Sequence, residues 1–514
     1  MKLRLIFTIL SVFFALSLVS ASEYRSHEKV KFPETPAGIR AKEVMDLINS
    51  GKPDEIEKFV NGNFAVAFRN AFPLDQHVGI IVRTHDLNKK LELNKIETSS
   101  EYRISCLLLS PSTSQLLSLD LQTEETAPNR ITRMGFRPGG VYESSSAKKR
   151  SPQETTETGK SSKNKSRAPK SISQKELTKI LDEFIDQLVE KDEFSGTVLV
   201  AKKGKPIYSK AVGYAHQGFK VPNKPDTKFC LASMNKMFTG TAIMQLVQQG
   251  KLNLDDKVGK HLPNYPNEDI RDKVTIHHLL THTSGMGSYW REFFESPKKS
   301  EINTVSDYDN LANGKPLLFE PGERFEYSNC GPLVLGLIIE EIAGLSYDEY
   351  IRRFITGPAE MGNTDCYNIS ESIDNLAIGY TNGRSVGRSF NPRRNNLFMN
   401  PVKGGPAGGG YSTVEDLLKF DLALRNNILL NKENFDIMTT GKVNRNETNK
   451  YAYLFTEKFV NGERIVGHNG GTAGLNSHLA MYMNSGYTVA IMSNYDPPAA
   501  EKLAQKIENV LSYQ

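Results

Sequence analysis

Cysteine is scarce: Cys106, Cys230, Cys330 and Cys366 are the only four in a chain of 514 residues. No C-x-x-C pair occurs among them, which argues against thiolate zinc sites and dithiol redox motifs. Outside the cytosol the four could pair in any of three ways or stay as buried thiols, and spacing does not choose. An excess of one charge is also lacking. Lys and Arg number 64 against 59 Asp and Glu. Most of the small surplus sits in residues 144–171, with eight basic residues against two Glu, and at Lys2 and Arg4. The remainder is slightly acidic, which argues against a basic nucleic-acid-binding face. After the first 22 residues no apolar run approaches the ~18 residues that mark a membrane-spanning helix.

The N-terminus reads as an address. Lys2 and Arg4 precede an apolar run from Leu5 to Val19, and Val19-Ser20-Ala21 is a small-residue exit. This pattern predicts a secretory signal peptide over residues 1–21, cut after Ala21, because the run is too short for a transmembrane anchor. No cysteine lies near the cut to carry a lipid. The mature protein is expected to be secreted or periplasmic, with no transmembrane segment.

A chain of this length holds roughly two to four domains. Residues 144–171 lack aromatic and nearly all aliphatic side chains, so they cannot bury enough surface to offset ordering and read as a basic, flexible linker. Before it, residues 22–143 read as a small α+β domain. A helix is expected from Pro36 to Ser50 with Gly51 past its end, then helical patterns at 53–71 and 73–85. Alternating strands follow at Tyr102–Leu109, Gln115–Leu121 and Ile131–Phe136. Helices followed by a meander suit an NTF2-like cone. This part holds no acid, base or ligand cluster, so binding or docking is its expected role, with the cell wall as a candidate partner.

Residues 172–514 read as one larger unit. A helix at Gln174–Lys191 has apolar residues at i, i+3 and i+4, and a hairpin spans Gly196–Ala201 and Ile207–Val212. Strands at Tyr451–Phe459, Arg464–Gly467, Leu479–Met483 and Tyr487–Ser493, then a helix at Ala499–Leu511, mirror this start. Strands from both chain ends predict one antiparallel sheet flanked by the terminal helices, with a helical subdomain between.

The chemistry is concentrated in that unit. Ser233-Met234-Asn235-Lys236 fits S-x-x-K, which on a helix sets an amine beside a hydroxyl that needs activation to attack. Ser26, Ser145, Ser146, Ser162 and Ser296 also begin this pattern. Only Ser233 follows an apolar segment and is expected to open an amphipathic helix, whose N-terminal amides suit an oxyanion. Tyr327-Ser328-Asn329 fits Y-x-N, preferred over Tyr265, Tyr308, Tyr380 and Tyr482 because Pro321-Gly322 turns the chain before it and an apolar helix, Leu333–Ile342, follows. His468-Asn469-Gly470, with Gly471 next, fits H-x-G at the end of a strand; His216-Gln217-Gly218 has the same form without that setting. His278 and His282, four apart, could share a metal on one helix face. Position 279 is Leu rather than the Glu of H-E-x-x-H, so packing and capping is the better account and no metal is expected.

In this order the three pieces resemble the penicillin-recognising serine hydrolases: class C β-lactamases, D-alanyl-D-alanine carboxypeptidases and related esterases and D-amino-acid peptidases. Thr275–Gly285 is similar to that family's helix-and-turn signature, and Gly404–Thr413 to its Gly-rich turn before a helix. The resemblance covers residues 172–514 and implies the β-lactamase/transpeptidase-like α+β fold. It implies Ser233 as the acylated nucleophile, with Lys236 and Tyr327 handling its proton. Asn329 would bind the substrate amide or hold Lys236. The N–H groups of Ser233 and Gly471 would form the oxyanion hole, beside Gly470. No cofactor is implied, and the substrate would be a small molecule or peptide bearing an amide, ester or β-lactam bond. His468 stands where many relatives have Lys. With an ordinary pKa near 6.5 it is expected to bind an anionic group while charged, or else to shape the Gly470-Gly471 loop as a neutral ring. The alternative to an enzyme is a non-catalytic penicillin-sensing or cell-wall-binding module, which a missing nucleophile or lysine would mark; both are present.

Overall fold

The computed structural model describes residues 30–71, 74–113, 115–141, 173–383, 390, 392–446 and 448–512. The signal peptide and linker expected at 1–21 and 144–171 lie outside these. The described residues divide into two units, one within 30–46 and 90–141 and one within 47–89 and 173–512. Among the described residues no single helix is long and apolar enough to cross a membrane.

The first element is helix α1 (Pro36–Ser50), followed by α2 (Pro53–Asn63), α3 (Val66–Ala71) and α4 (Leu74–Asn88). A four-stranded antiparallel meander comes next: β1 (Glu92–Ser99), β2 (Arg103–Ser110), β3 (Gln115–Thr123) and β4 (Ile131–Val141). β2 alternates buried and exposed positions, with Ile104, Cys106 and Leu108 turned inward, the signature of a sheet with one covered face. Arg40 of α1 donates through Nε to the Asn129 carbonyl at 3.2 Å and ties the helix to the last turn of the meander.

The second unit is organised by an eight-stranded antiparallel sheet. Its strands are β5 (Gly196–Lys202), β6 (Lys205–Val212), β7 (Val443–Asn444), β8 (Asn449–Tyr451), β9 (Thr456–Val460), β10 (Glu463–Thr472), β11 (Leu475–Tyr482) and β12 (Tyr487–Ser493). Their spatial order is β7-β8-β9-β10-β11-β12-β5-β6. Six of the seven residues of β5 are buried, because the sheet is covered on both faces. Val198 and Val200 pack with Leu177, Leu181 and Ile185 of α5 (Gln174–Glu190) and with Leu503 and Ile507 of the closing helix α10 (Ala499–Ser512). Leu199 and Ala201 face the opposite core, which also holds Phe238, Leu279, Leu335 and Phe420. That core belongs to the helical middle: α6 (Lys236–Gln248), α7 (Ile276–Thr281), α8 (Cys330–Ala343) and α9 (Val414–Arg425), with shorter helices between. The expected sheet, terminal helices and helical subdomain are all present.

Two local readings need correcting. α6 is not amphipathic: nearly every residue from Lys236 to Leu246 is buried. Its polar members satisfy themselves internally, Thr239 donating to the Pro406 carbonyl and Thr241 to that of Met237, each at 2.8 Å. The strand expected at Arg464–Gly467 also runs on through the glycine pair to Thr472, since Gly470 and Gly471 keep pairing with Ser477 and Asn476 of β11. All four cysteines are free and buried.

Candidate active site

Ser233 lies in a 3-10 turn, Ala232–Asn235, and α6 begins only at Lys236. In a 3-10 turn residues three apart eclipse one another, which sets the lysine directly over the serine. Ala232, just before the serine, holds φ at +46° without being glycine, a sharp corner of the kind that persists where surrounding structure enforces it. Ser233 is partly exposed while its neighbours are buried.

Lys236 has no exposed surface. A buried ammonium is tolerated only when paired or hydrogen-bonded. Its Nζ donates to Ser233 Oγ at 3.2 Å, to Asn329 Oδ1 at 2.8 Å and to the Ala407 carbonyl. It also stands 5.0 Å from the centre of the Tyr327 ring. One amine therefore gathers three of the sequence motifs: the S-x-x-K serine, Y-x-N and the Gly-rich turn.

The Tyr327 loop is held by its middle residue. Ser328 Oγ accepts from the amides of Cys330 and Gly331 at 3.2 and 3.0 Å and donates to the Gly287 carbonyl at 2.8 Å. It thus caps α8 and fixes the flanking Tyr327 and Asn329. The Gly-rich turn feeds α9, whose N-cap Thr413 accepts from the Asp416 amide.

β10 closes the other side. A Cβ on Gly470 would sit 2.2 Å from the Leu231 carbonyl and 2.9 Å from the Ser233 nitrogen, so only glycine lets the strand lie against the serine turn. Ser477 of β11 donates to that Leu231 carbonyl at 2.7 Å. A cavity of about 460 Å³ opens here, lined in part by Ser233, Tyr327, Asn329, Ala407 and Gly471. His468 and Gly470 are not among its lining residues.

Of the two readings of His468, charged or neutral, its surroundings favour the neutral ring. The ring is 4% exposed. Burial, reinforced by the nearby Lys236 charge, pushes its pKa down to about 3, so the imidazole is neutral at ordinary pH. Its Nε2 lies 2.9 Å from the Tyr451 hydroxyl and its Nδ1 2.5 Å from the Asn469 carbonyl. The histidine stretch behaves as the capping account requires. Thr275 and His278 form a reciprocal capping box at the start of α7, and His282 ends it in the left-handed conformation, φ +57°. Among the described residues no cluster of His, Cys, Asp and Glu could hold a metal.

Residues 181–512 match the Beta-lactamase family model. This chain belongs to the β-lactamase family. Like other members it is a serine hydrolase. A penicillin-binding protein of Bacillus subtilis is 33% identical over 328 residues, which are 62% of this chain and 71% of that protein. The crystal structure of a penicillin binding protein from Bacillus halodurans superposes with a TM-score of 0.57 at 30% identity, over 63% of this chain and 99% of that one. A D-stereospecific amidohydrolase from Streptomyces shares the fold, with a TM-score of 0.55 at 24% identity over 66% of this chain and 99% of its own.

Sequence reasoning missed the carbonyl of Ala407 and the side chains of Tyr451 and Ser288, the last within 3.5 Å of Asn329 Nδ2. A backbone carbonyl carries no sequence signal. Tyr451 lies in no motif; it is one of two tyrosines flanking Ala452 at the end of β8.

Proposed function

We propose that Ser233 is the nucleophile of this family member and is acylated by amide or ester substrates. The observation that carries this is the buried Lys236 amine, held between Ser233 Oγ and Asn329 Oδ1. Ser233 Oγ attacks the substrate carbonyl, and its proton passes through the Lys236–Tyr327 pair to the leaving amine or alcohol. The oxygen of the tetrahedral intermediate is stabilised by the amides of Ser233 and Gly471. Water then cleaves the acyl-enzyme and restores the serine. Asn329 keeps Lys236 aimed and is positioned to meet the substrate amide.

His468 supplies no fixed charge for a carboxylate and stands outside the cavity lining, so amides and esters of the D-amino-acid peptide type are the proposed substrates ahead of β-lactams. The names of the relatives span both chemistries, as they include penicillin-binding proteins and a D-stereospecific amidohydrolase. The N-terminal signal pattern supports a location outside the cytoplasm, and the proposed role of the small α+β segment with its basic linker is docking, with the cell wall as partner.

Ser233→Ala is expected to abolish hydrolysis of p-nitrophenyl butyrate and to prevent the mass increase caused by a fluorophosphonate, with an unchanged melting temperature. A folded variant that keeps the wild-type rate would sink the assignment.

A further inference from the structure

Behind Tyr327 three buried side chains form a row: His282, Tyr451 and His468, each less than 5% exposed. The Tyr451 hydroxyl lies 3.0 Å from His282 Nε2 and 2.9 Å from His468 Nε2. A hydroxyl has one proton to give, so it donates to one ring and accepts from the other. The ends of the row decide which. At one end the Ser328 amide donates to His282 Nδ1 at 3.2 Å, so that nitrogen is bare and Nε2 carries the proton. At the other end His468 Nδ1 faces the Asn469 carbonyl, which only accepts, so Nδ1 carries the proton and Nε2 is bare. Proton donation therefore runs one way, from the Ser328 amide through His282, Tyr451 and His468 to the Asn469 carbonyl.

Both ends are backbone groups of the site itself. Ser328 lies between Tyr327 and Asn329, and Asn469 immediately precedes Gly470 and Gly471. The rings of His282 and Tyr327 are 4.4 Å apart. We propose that Tyr451 is a positioning residue: its hydroxyl bridges the oppositely protonated rings of His282 and His468 and so locks the Tyr327 loop to strand β10 across the reaction centre. The proposal rests on the reading of Ser233 as nucleophile only for its kinetic consequence; the tautomers do not depend on it.

The test begins on the intact wild-type chain. Nitrogen-15 NMR of histidine-labelled protein should show His282 protonated at Nε2 and His468 at Nδ1, the rings being assigned with His282→Gln and His468→Gln. Finding the same tautomer on both would overturn the relay without any appeal to activity. In Tyr451→Phe the hydroxyl is lost while the ring stays. His468 should then keep its Nδ1 proton, held by the Asn469 carbonyl, with the Nε2 resonance shifted by loss of its hydrogen bond, and kcat for p-nitrophenyl butyrate should fall about tenfold or more with KM within about twofold, because the cost is misalignment rather than lost binding. A folded Tyr451→Phe variant with wild-type kcat would overturn the positioning role. If instead Ser233→Ala keeps activity while the tautomers are as stated, the nucleophile assignment fails and the relay stands.

Discussion

Lys236 shows how much of this site is carried by single residues in tight places. A side chain that ordinarily seeks water is enclosed, and its three N–H bonds meet a hydroxyl, an amide oxygen and a backbone carbonyl. The same crowding makes Gly470 irreplaceable. In Gly470→Ala the new methyl meets the Leu231 carbonyl, Ser477 Oγ and the Ser233 nitrogen, at 2.2, 2.7 and 2.9 Å. Two of these are backbone atoms that cannot swing aside. The strand must move off the serine turn, so kcat is expected to drop by roughly a hundredfold, while overpacking costs about 1–3 kcal/mol of stability. Steady-state kinetics and urea midpoints on the variant check both. Of the residues singled out from sequence, Ser233, Lys236, Tyr327, Asn329 and Gly471 come together because each belongs to a short motif. His468 was placed in the right strand, but sequence left its charge open between two readings, since burial is not written in a local motif.

At the scale of elements, α7 packs Leu279 and Leu280 into the helical core and ends at His282, beside Tyr327. Thr275 Oγ1 accepts from the His278 amide at 3.2 Å, and His278 Nδ1 accepts from the Thr275 amide at 3.3 Å. Thr275→Ala removes half of this box and should cost about 1 kcal/mol, measurable as a lower urea midpoint. Equal midpoints would show that the surrounding core, not the cap, holds α7. Helices α1 and α5 were legible in the sequence from their caps and apolar spacing. β1 was not: Glu92–Ser99 is mostly exposed, with charged and polar residues at successive positions, so it lacks the alternation that reveals a half-buried strand. α6 misled in the opposite sense, because polar threonines in a fully buried helix imitate an amphipathic one.

For the molecule as a whole, burying neutral histidines ties stability to pH. The pKa of His468 is pushed down to about 3, and burial with the Lys236 charge holds His282 well below its ordinary 6.5. As pH falls from 7 to 5, the unfolded chain protonates these rings while the folded chain does not, so folding weakens, by about 2 kcal/mol for His468. Urea midpoints at pH 7 and pH 5 should therefore differ, and by less in His468→Asn; an unaltered difference would show that other groups control the acid limb. The sheet carries a last consequence, in the time domain. Strand β5, next to one edge of the sheet, is flanked by β6, its neighbour in sequence, and by β12, residues 487–493, late in the chain. A ribosome must emit nearly the whole polypeptide before β5 can acquire its second partner. Until then a strand buried on both faces in the finished protein stays open along one edge, a template for wrong pairing during synthesis.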